Sequence, residues 1–247
     1  MSDITAPGAR VALVTGASRG IGRAIALALA AAGMAVAVNY RARADDADAV
    51  VRTIRDGGGH AVAIGADVAD SAQVADMAAR AARELGPVDV LVNNAGIASQ
   101  RGLDDLDEAE FNRMLAANLT SAFLCSQAVL PHMRAQRFGR IVNISSVAAR
   151  GAGAIGVHYN AAKAGMEGLT RGYAARLAAE GVTVNAVAPG PIDTDMGAPL
   201  KQAGAASRVP VGRMGTAEEV AQAVMMVIGN PFITGQTIAV NGGLLFT

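Results

Sequence analysis

Residues Thr15–Gly22 read TGASRGIG, and the reading of this stretch decides the fold. It joins a short apolar run, Arg10–Thr15, to an Ala-rich run, Ile21–Ala32. The pattern predicts a strand, a glycine turn and a helix. Gly16, Gly20 and Gly22 permit positive φ and a close approach of backbone to ligand. The helix that opens beside them offers unpaired N–H groups and a positive dipole end, a combination that suits an anion. The spacing is G-x-x-x-G-x-G rather than G-x-G-x-x-G. Its position at the first strand-to-helix turn is therefore what gives the loop a phosphate-binding reading. Arg19 inside it is either a solvated surface side chain or a contact to a phosphate.

The same rhythm runs outward along the chain. Strands are expected at Ala35–Asn39, Ala61–Ile64, Val88–Val92, Arg140–Ile144, Thr183–Val187 and Thr237–Val240. Helices are expected at Asp45–Asp56, at Ser71–Leu85 with Asp70 or Ser71 as cap, and from about Asp107 to Arg134. Two more follow at Tyr159–Glu180 and Ala217–Ile228. Seven strands alternating with helices predict an α/β fold with a mostly parallel sheet covered on both faces. The strand runs are apolar throughout, as burial on both faces requires. No linker, repeat or low-complexity tract divides residues 1–247, so a single domain is expected. Pro191–Val209 mixes Gly, Pro and Ala without periodicity and is a candidate mobile lid.

Composition narrows the function. Hydrophobic residues make up 52% of the 247 and charged residues 17%, which argues for a sizeable core and against disorder. Basic and acidic side chains number 21 each, an argument against nucleic-acid or anionic-membrane partners. Aromatic residues, at 3%, are too few for base-stacking platforms. The one cysteine, Cys125, excludes an intrachain disulfide and fits a reducing, cytoplasmic setting; its apolar helical surroundings mark it as buried filler. MSDITAPGAR, at residues 1–10, has no basic n-region leading into an apolar core, so no signal peptide is read. The apolar run Ala24–Val38 is too short to span a bilayer and is divided by Gly33. His60, His132 and His158 are too scattered for a metal site. His158 either lines a substrate pocket or holds an ordinary exposed position.

Further motifs follow the glycine loop in order: NNAG at Asn93–Gly96, YNAAK at Tyr159–Lys163 and PG at Pro189–Gly190. Together with TGASRGIG they resemble the short-chain dehydrogenase/reductase family over nearly the whole chain. The resemblance implies a doubly wound Rossmann fold and hydride transfer between a nicotinamide and a carbonyl carbon, without metal. Tyr159 and Lys163, four apart, share one face of a helix. A nearby ammonium stabilises phenolate and lowers the Tyr pKa, which makes Tyr a usable proton donor and acceptor near neutral pH. Ser145 and Ser146 compete for a third role, hydrogen bonding to the substrate oxygen. The family's usual spacing, 13 residues before the tyrosine, selects Ser146, with Ser145 the fallback. Asn118 is a poor helix-interior residue; it either makes a local side-chain bond or, as in the family, anchors a water that relays protons from Lys163.

The resemblance also implies the cofactor contacts. Gly16, Ser18, Arg19, Gly20, Ile21 and Gly22 would cradle the phosphates. Asn39, Tyr40 and Arg41 would meet the adenosine ribose, and Asp67 the adenine amino group with Val68 packed beside it. Asn93, Asn94, Ala95 and Gly96 would line the adenosine and ribose side. Tyr159 and Lys163 would reach the nicotinamide ribose, and Pro189, Gly190, Ile192 and Thr194 the carboxamide end. Members that prefer NAD commonly carry Asp where this chain has Tyr40. Tyr40 cannot repel a 2′-phosphate, and Arg41 and Arg19 can pair with one, so NADP(H) is the expected cofactor. Asp45 and Asp46 are read instead as first-turn residues of the second helix.

GRIVNISSV, VPVGRMGTAEEVA and ITGQTIAVNGG look closest to the 3-oxoacyl-[acyl-carrier-protein] reductases. That implies an acyl-thioester substrate and an acidic carrier protein docked on basic residues. Arg137 matches one docking position, whereas Glu180 stands where a second base is usual. The Met196–Val209 and GNPFITG segments are shorter than the family pattern. Small ketones, sugars or other alcohols are therefore the alternative substrates, and a non-catalytic nucleotide-binding module the alternative class. The two long helices imply a homodimer or homotetramer.

Overall fold

The computed structural model describes residues 10–246. The signal-peptide reading of the first ten residues thus lies, but for Arg10, outside the described residues. The strands are β1 Val11–Val14, β2 Ala35–Tyr40, β3 Ala61–Gly65, β4 Val90–Asn93, β5 Gly139–Ile144, β6 Val182–Pro189 and β7 Thr237–Val240. They form one sheet in the order β3-β2-β1-β4-β5-β6-β7, and every neighbouring pair is parallel. The helices are α1 Gly20–Ala31, α2 Ala44–Asp56, α3 Ser71–Glu84, α4 Glu108–Leu115, α5 Ser121–Ala135, α6 Val157–Leu177, α7 Ala198–Gln202 and α8 Ala217–Gly229.

Both faces of the sheet are covered, and the strand sequences show why they carry no polar alternation. Ala12 and Val14 of β1 pack with Ile25, Leu29 and Val224 on the face of α1, α2 and α8. Val11 and Leu13 pack with Met77, Val129 and Leu177 on the face of α3, α5 and α6. Successive side chains point to opposite faces, so a strand buried on both is mainly apolar, and buried polar residues such as Asn39 and Asn93 need hydrogen-bond partners within the protein.

Helix starts follow their acids. Asp70 caps α3 by accepting from the N–H groups of Ala72 and Gln73, and Asp45 and Asp46 lie in the first turn of α2. By contrast α1 opens at Arg19 with no side-chain cap and no acid in its first turn, which leaves its N–H groups for another partner. Asn118 interrupts the long helix expected from Asp107. Ala116–Thr120 form a π-helical turn between α4 and α5. The stretch Glu108–Ala135 is long and apolar enough to cross a membrane by length and composition. Its buried side, with Cys125, Val129 and Met133, belongs to the core beneath the sheet, as in the central helix of a globular domain. Pro191–Val209, expected without regular structure, holds α7 and two short 3₁₀ turns, Asp195–Gly197 and Ala205–Arg208.

Candidate active site

The strand order reverses between β1 and β4, and a crevice opens at the carboxyl ends of these strands. It is a cleft of about 530 Å³. Its walls include the glycine-loop residues, the β2 tip, Asp67, Val68, the Asn94–Gly96 segment, Asn118, Ser146, Tyr159, Lys163 and the stretch from Pro189 to Thr194. Residues far apart in sequence therefore meet where the motifs require. A groove of about 740 Å³ between α5 and α6 is larger but holds an Arg134–Glu180 pair and a Gln127–Tyr173 hydrogen bond, not the glycine loop or the Tyr159–Lys163 pair.

The glycine loop is shaped to take an anion. Gly16 and Gly20 have φ of +62° and +54°. A Cβ at Gly22 would fall 2.5 Å from both Asn94 Nδ2 and the Gly16 carbonyl oxygen. Asn94 donates to the Thr15 and Gly16 carbonyls at 2.8 and 3.1 Å and so clamps the loop to the end of β4. These features fit the pyrophosphate of a dinucleotide.

The β2 tip differs in detail from the expectation. Asn39 is buried, and its amide is committed to the protein. Its oxygen accepts from Gly16 N–H at 3.1 Å, and its nitrogen donates to the Ile64 and Ala66 carbonyls, each at 3.2 Å. It props up the loop and has little left to give a ligand. The Tyr40 ring lies against Gly65, where a Cβ would meet it at 3.2 Å. Arg41 sits 3.6 Å from Asp67, and Arg19 reaches across the cleft mouth to Asp195 at 2.6 Å. Asn93 does not line the cleft: its amide donates to Asn143 Oδ1 at 2.9 Å and Ser126 Oγ at 3.3 Å beneath the sheet. The reason is strand alternation, which turns Asn93 inward and leaves Asn94 at the tip.

At the deep end, Tyr159 and Lys163 lie one turn apart on α6, both buried. Lys163 Nζ is 5.7 Å from the centre of the Tyr159 ring and donates to the Ile144 carbonyl at 2.8 Å. Burial lowers its pKa to about 8. Against the expected lowering by the ammonium, burial raises the Tyr159 phenol above its ordinary value, while a hydrogen bond with Ser146 acts the other way. Ser146 caps the 3₁₀ turn Val147–Ala149, accepting from Ala148 N–H at 3.1 Å. Ser145 is turned to the helix, where its hydroxyl lies 3.4 Å from the Lys163 carbonyl and 3.4 Å from Glu167 Oε1. The geometry thus separates the two serines.

Asn118 Nδ2 donates to the Ile97 and Met114 carbonyls, each at 3.1 Å. Its Oδ1 is buried without a protein partner. A Cβ at Gly96 would collide with that oxygen and lie 3.8 Å from Lys163 Nζ. The glycine keeps a gap between them. Cys125 is buried with its thiol pushed up to about 12, which suits filler and not a nucleophile. His158 holds neither position expected of it: it is fully buried, with Nε2 3.0 Å from the Ser99 carbonyl oxygen. Sequence reasoning missed Ile97, Ile155, Met196 and Leu200 on the cleft wall. They are scattered apolar residues in loops and short turns, and no periodic signal marks them.

The comparisons agree with this geometry. The family model for short chain dehydrogenases matches residues 10–204. A 3-oxoacyl-[acyl-carrier-protein] reductase of Synechocystis sp. is 46% identical over 98% of this chain and 99% of its own length. A cis-4-hydroxycyclohexanecarboxylate dehydrogenase of Sinomonas cyclohexanicum is 44% identical over 95% of this chain and 96% of its own. The crystal structure of a dehydrogenase from Agrobacterium tumefaciens, provisionally assigned to gluconate, superposes with a TM-score of 0.91 at 35% identity, covering 97% of each chain. The chain belongs to the short-chain dehydrogenase family and is an oxidoreductase of CH–OH and C=O groups.

Proposed function

We propose that this protein is an NADPH-dependent carbonyl reductase whose substrates are 3-oxoacyl thioesters. The observation that carries the reading is the meeting of Tyr159, Ser146 and Lys163 at the deep end of a cleft that begins at a glycine loop. When bound, the nicotinamide supplies the hydride that reaches the carbonyl carbon. Tyr159 donates its phenolic proton to the carbonyl oxygen. Its pKa, raised by burial, keeps that proton in place at neutral pH. The Ser146 hydroxyl hydrogen-bonds the same oxygen as charge develops there. Lys163 holds the nicotinamide ribose and stabilises the phenolate that remains. The unpartnered Asn118 Oδ1 anchors a water through which Lys163 recovers a proton from solvent.

The glycine loop and the N-terminus of α1 hold the pyrophosphate. Arg41 and Arg19 take the 2′-phosphate, exchanging Asp67 and Asp195 for it. Both pairs are exposed, and such pairs are weak enough to open. Asp67 and Val68 receive the adenine, and Pro189, Gly190, Ile192 and Thr194 the carboxamide end. Pro191–Val209 acts as a mobile lid on a single domain. The outer faces of α5 and α6 pair subunits in a homodimer or homotetramer in the cytoplasm.

Acyl carrier protein is the partner implied by the Synechocystis relative. One observation favours a second reading, in which free or CoA-linked ketones are preferred. Glu180, which stands where a second docking base is usual, is an acid paired with Arg134 at 2.5 Å, so this surface offers an acidic carrier less positive charge. The relatives' differing substrates point the same way. Comparing acetoacetyl-carrier protein with acetoacetyl-CoA under NADPH tests it. A large preference for the carrier rejects the second reading, and turnover of neither rejects the thioester assignment.

A further inference from the structure

Glu167 is a buried acid on α6, and its side chain is 5% exposed. Burying a carboxylate carries a heavy desolvation penalty unless it is paired and hydrogen-bonded. Two donors meet it: Arg150 Nε at 2.9 Å and Ser145 Oγ at 3.4 Å. Ser145 lies just before Ser146, and Arg150 lies just after the turn that Ser146 caps. One carboxylate therefore grips both ends of the Val147–Ala149 turn.

Two more residues on α6 hold the same segment. Asn160 donates to the Gly151 and Ala152 carbonyls at 2.8 and 2.6 Å. The Lys163 carbonyl lies 3.4 Å from the Ser145 hydroxyl. Positions 160, 163 and 167 fall along one stripe of a helix. The Glu167–Arg150 contact joins opposite charges. Ser146 Oγ already accepts from Ala148 N–H within the turn, so the direction left for its own proton depends on where the turn sits.

We propose that Glu167, through its pair with Arg150, is a positioning residue for the reduction. It fixes the turn carrying Ser146 against the helix carrying Tyr159 and Lys163, so that both hydroxyls converge on one substrate oxygen. This rests on the role given to Ser146 above. Placement errors of an ångström are enough to slow such a step by about 100-fold.

The test uses Glu167→Gln, Arg150→Met and Arg150→Lys in the full-length protein, with acetoacetyl-CoA and NADPH. The expected result is a fall in kcat and kcat/KM by about 10-fold or more for Glu167→Gln and Arg150→Met. NADPH affinity, read by fluorescence titration, stays near wild type, which also reports that the variants fold. Arg150→Lys recovers most of the rate. In a Ser146→Ala background, Glu167→Gln causes little further loss. Wild-type kcat in Glu167→Gln overturns the proposal, as does a loss that tracks NADPH affinity or adds in full to that of Ser146→Ala. If Ser146→Ala alone keeps wild-type kcat, the role of Ser146 falls and this inference with it.

Discussion

At the scale of single residues, Tyr159 and Lys163 make the same demand on pH in the reductive direction. Lys163 holds its proton below about 8 and loses it above, because burial penalises the ammonium. Reduction needs the ammonium and a protonated phenol, and both are lost as pH rises. The reductive kcat is therefore expected to fall above about pH 8 and alcohol oxidation to strengthen, a reversal that a pair of pH–rate profiles would reveal. Tyr159→Phe removes the proton donor and leaves the packing. Turnover should drop by about 10²–10⁴-fold while NADPH binding, measured by fluorescence, persists. Arg41→Ala should weaken NADPH about 10-fold, the scale of one charge-assisted bond, and leave NADH almost unchanged. Equal losses for both nucleotides would remove Arg41 from 2′-phosphate recognition. Tyr159 and Lys163 were legible as a pair because a spacing of four puts them on one face of a helix, whereas Ser146 was set apart from Ser145 only by the spacing usual in the family. Asn39 was legible as a neighbour of the ligand but not as a strut, because its partners Gly16, Ile64 and Ala66 come from three separate segments.

At the scale of elements, the glycine loop and the π turn carry the strongest geometric constraints. Gly22→Ala would press a methyl group into Asn94 and the Gly16 carbonyl, both held in place by the end of β4. Dinucleotide affinity is expected to fall more than about 10-fold, the effect of a loop displaced from its ligand; isothermal titration would measure it. Unchanged affinity would mean that the loop yields freely. The strands and most helices were legible from apolar runs, and Asp70 as the cap of α3; the structure adds Asp107 and the Thr216–Glu219 capping box at two further helix starts. The π turn was not legible as such. Asn118 flags an irregularity, but the wide turn depends on its bonds to Ile97 and Met114 across a loop. The short turns of residues 191–209 were missed for a similar reason: they are too brief for periodicity and are held by ion pairs such as Lys201–Asp193.

At the scale of the whole molecule, the parallel sheet and the reversal between β1 and β4 bring the nucleotide loop and the Tyr159 helix to one edge. Alternating strands and helices made this architecture readable, since few topologies satisfy burial on both faces. Subunit number and substrate were less readable. The outer groove of α5 and α6 is expected to be an interface, so Tyr173→Asp should shift the sedimenting species to a smaller size; an unchanged profile would exclude that face. The apolar residues Ile97, Ile155, Met196 and Leu200 line the cleft but are scattered, and sequence alone does not connect them. The family assigns a reaction at CH–OH and C=O groups, and the electron donor proposed for it is NADPH. The measurement closest to that claim is kcat/KM for NADPH against NADH in the reduction of acetoacetyl-CoA. A preference for NADPH of about 10-fold or more is expected from the Arg41 and Arg19 contacts, and a preference for NADH, or no turnover with either, would contradict it.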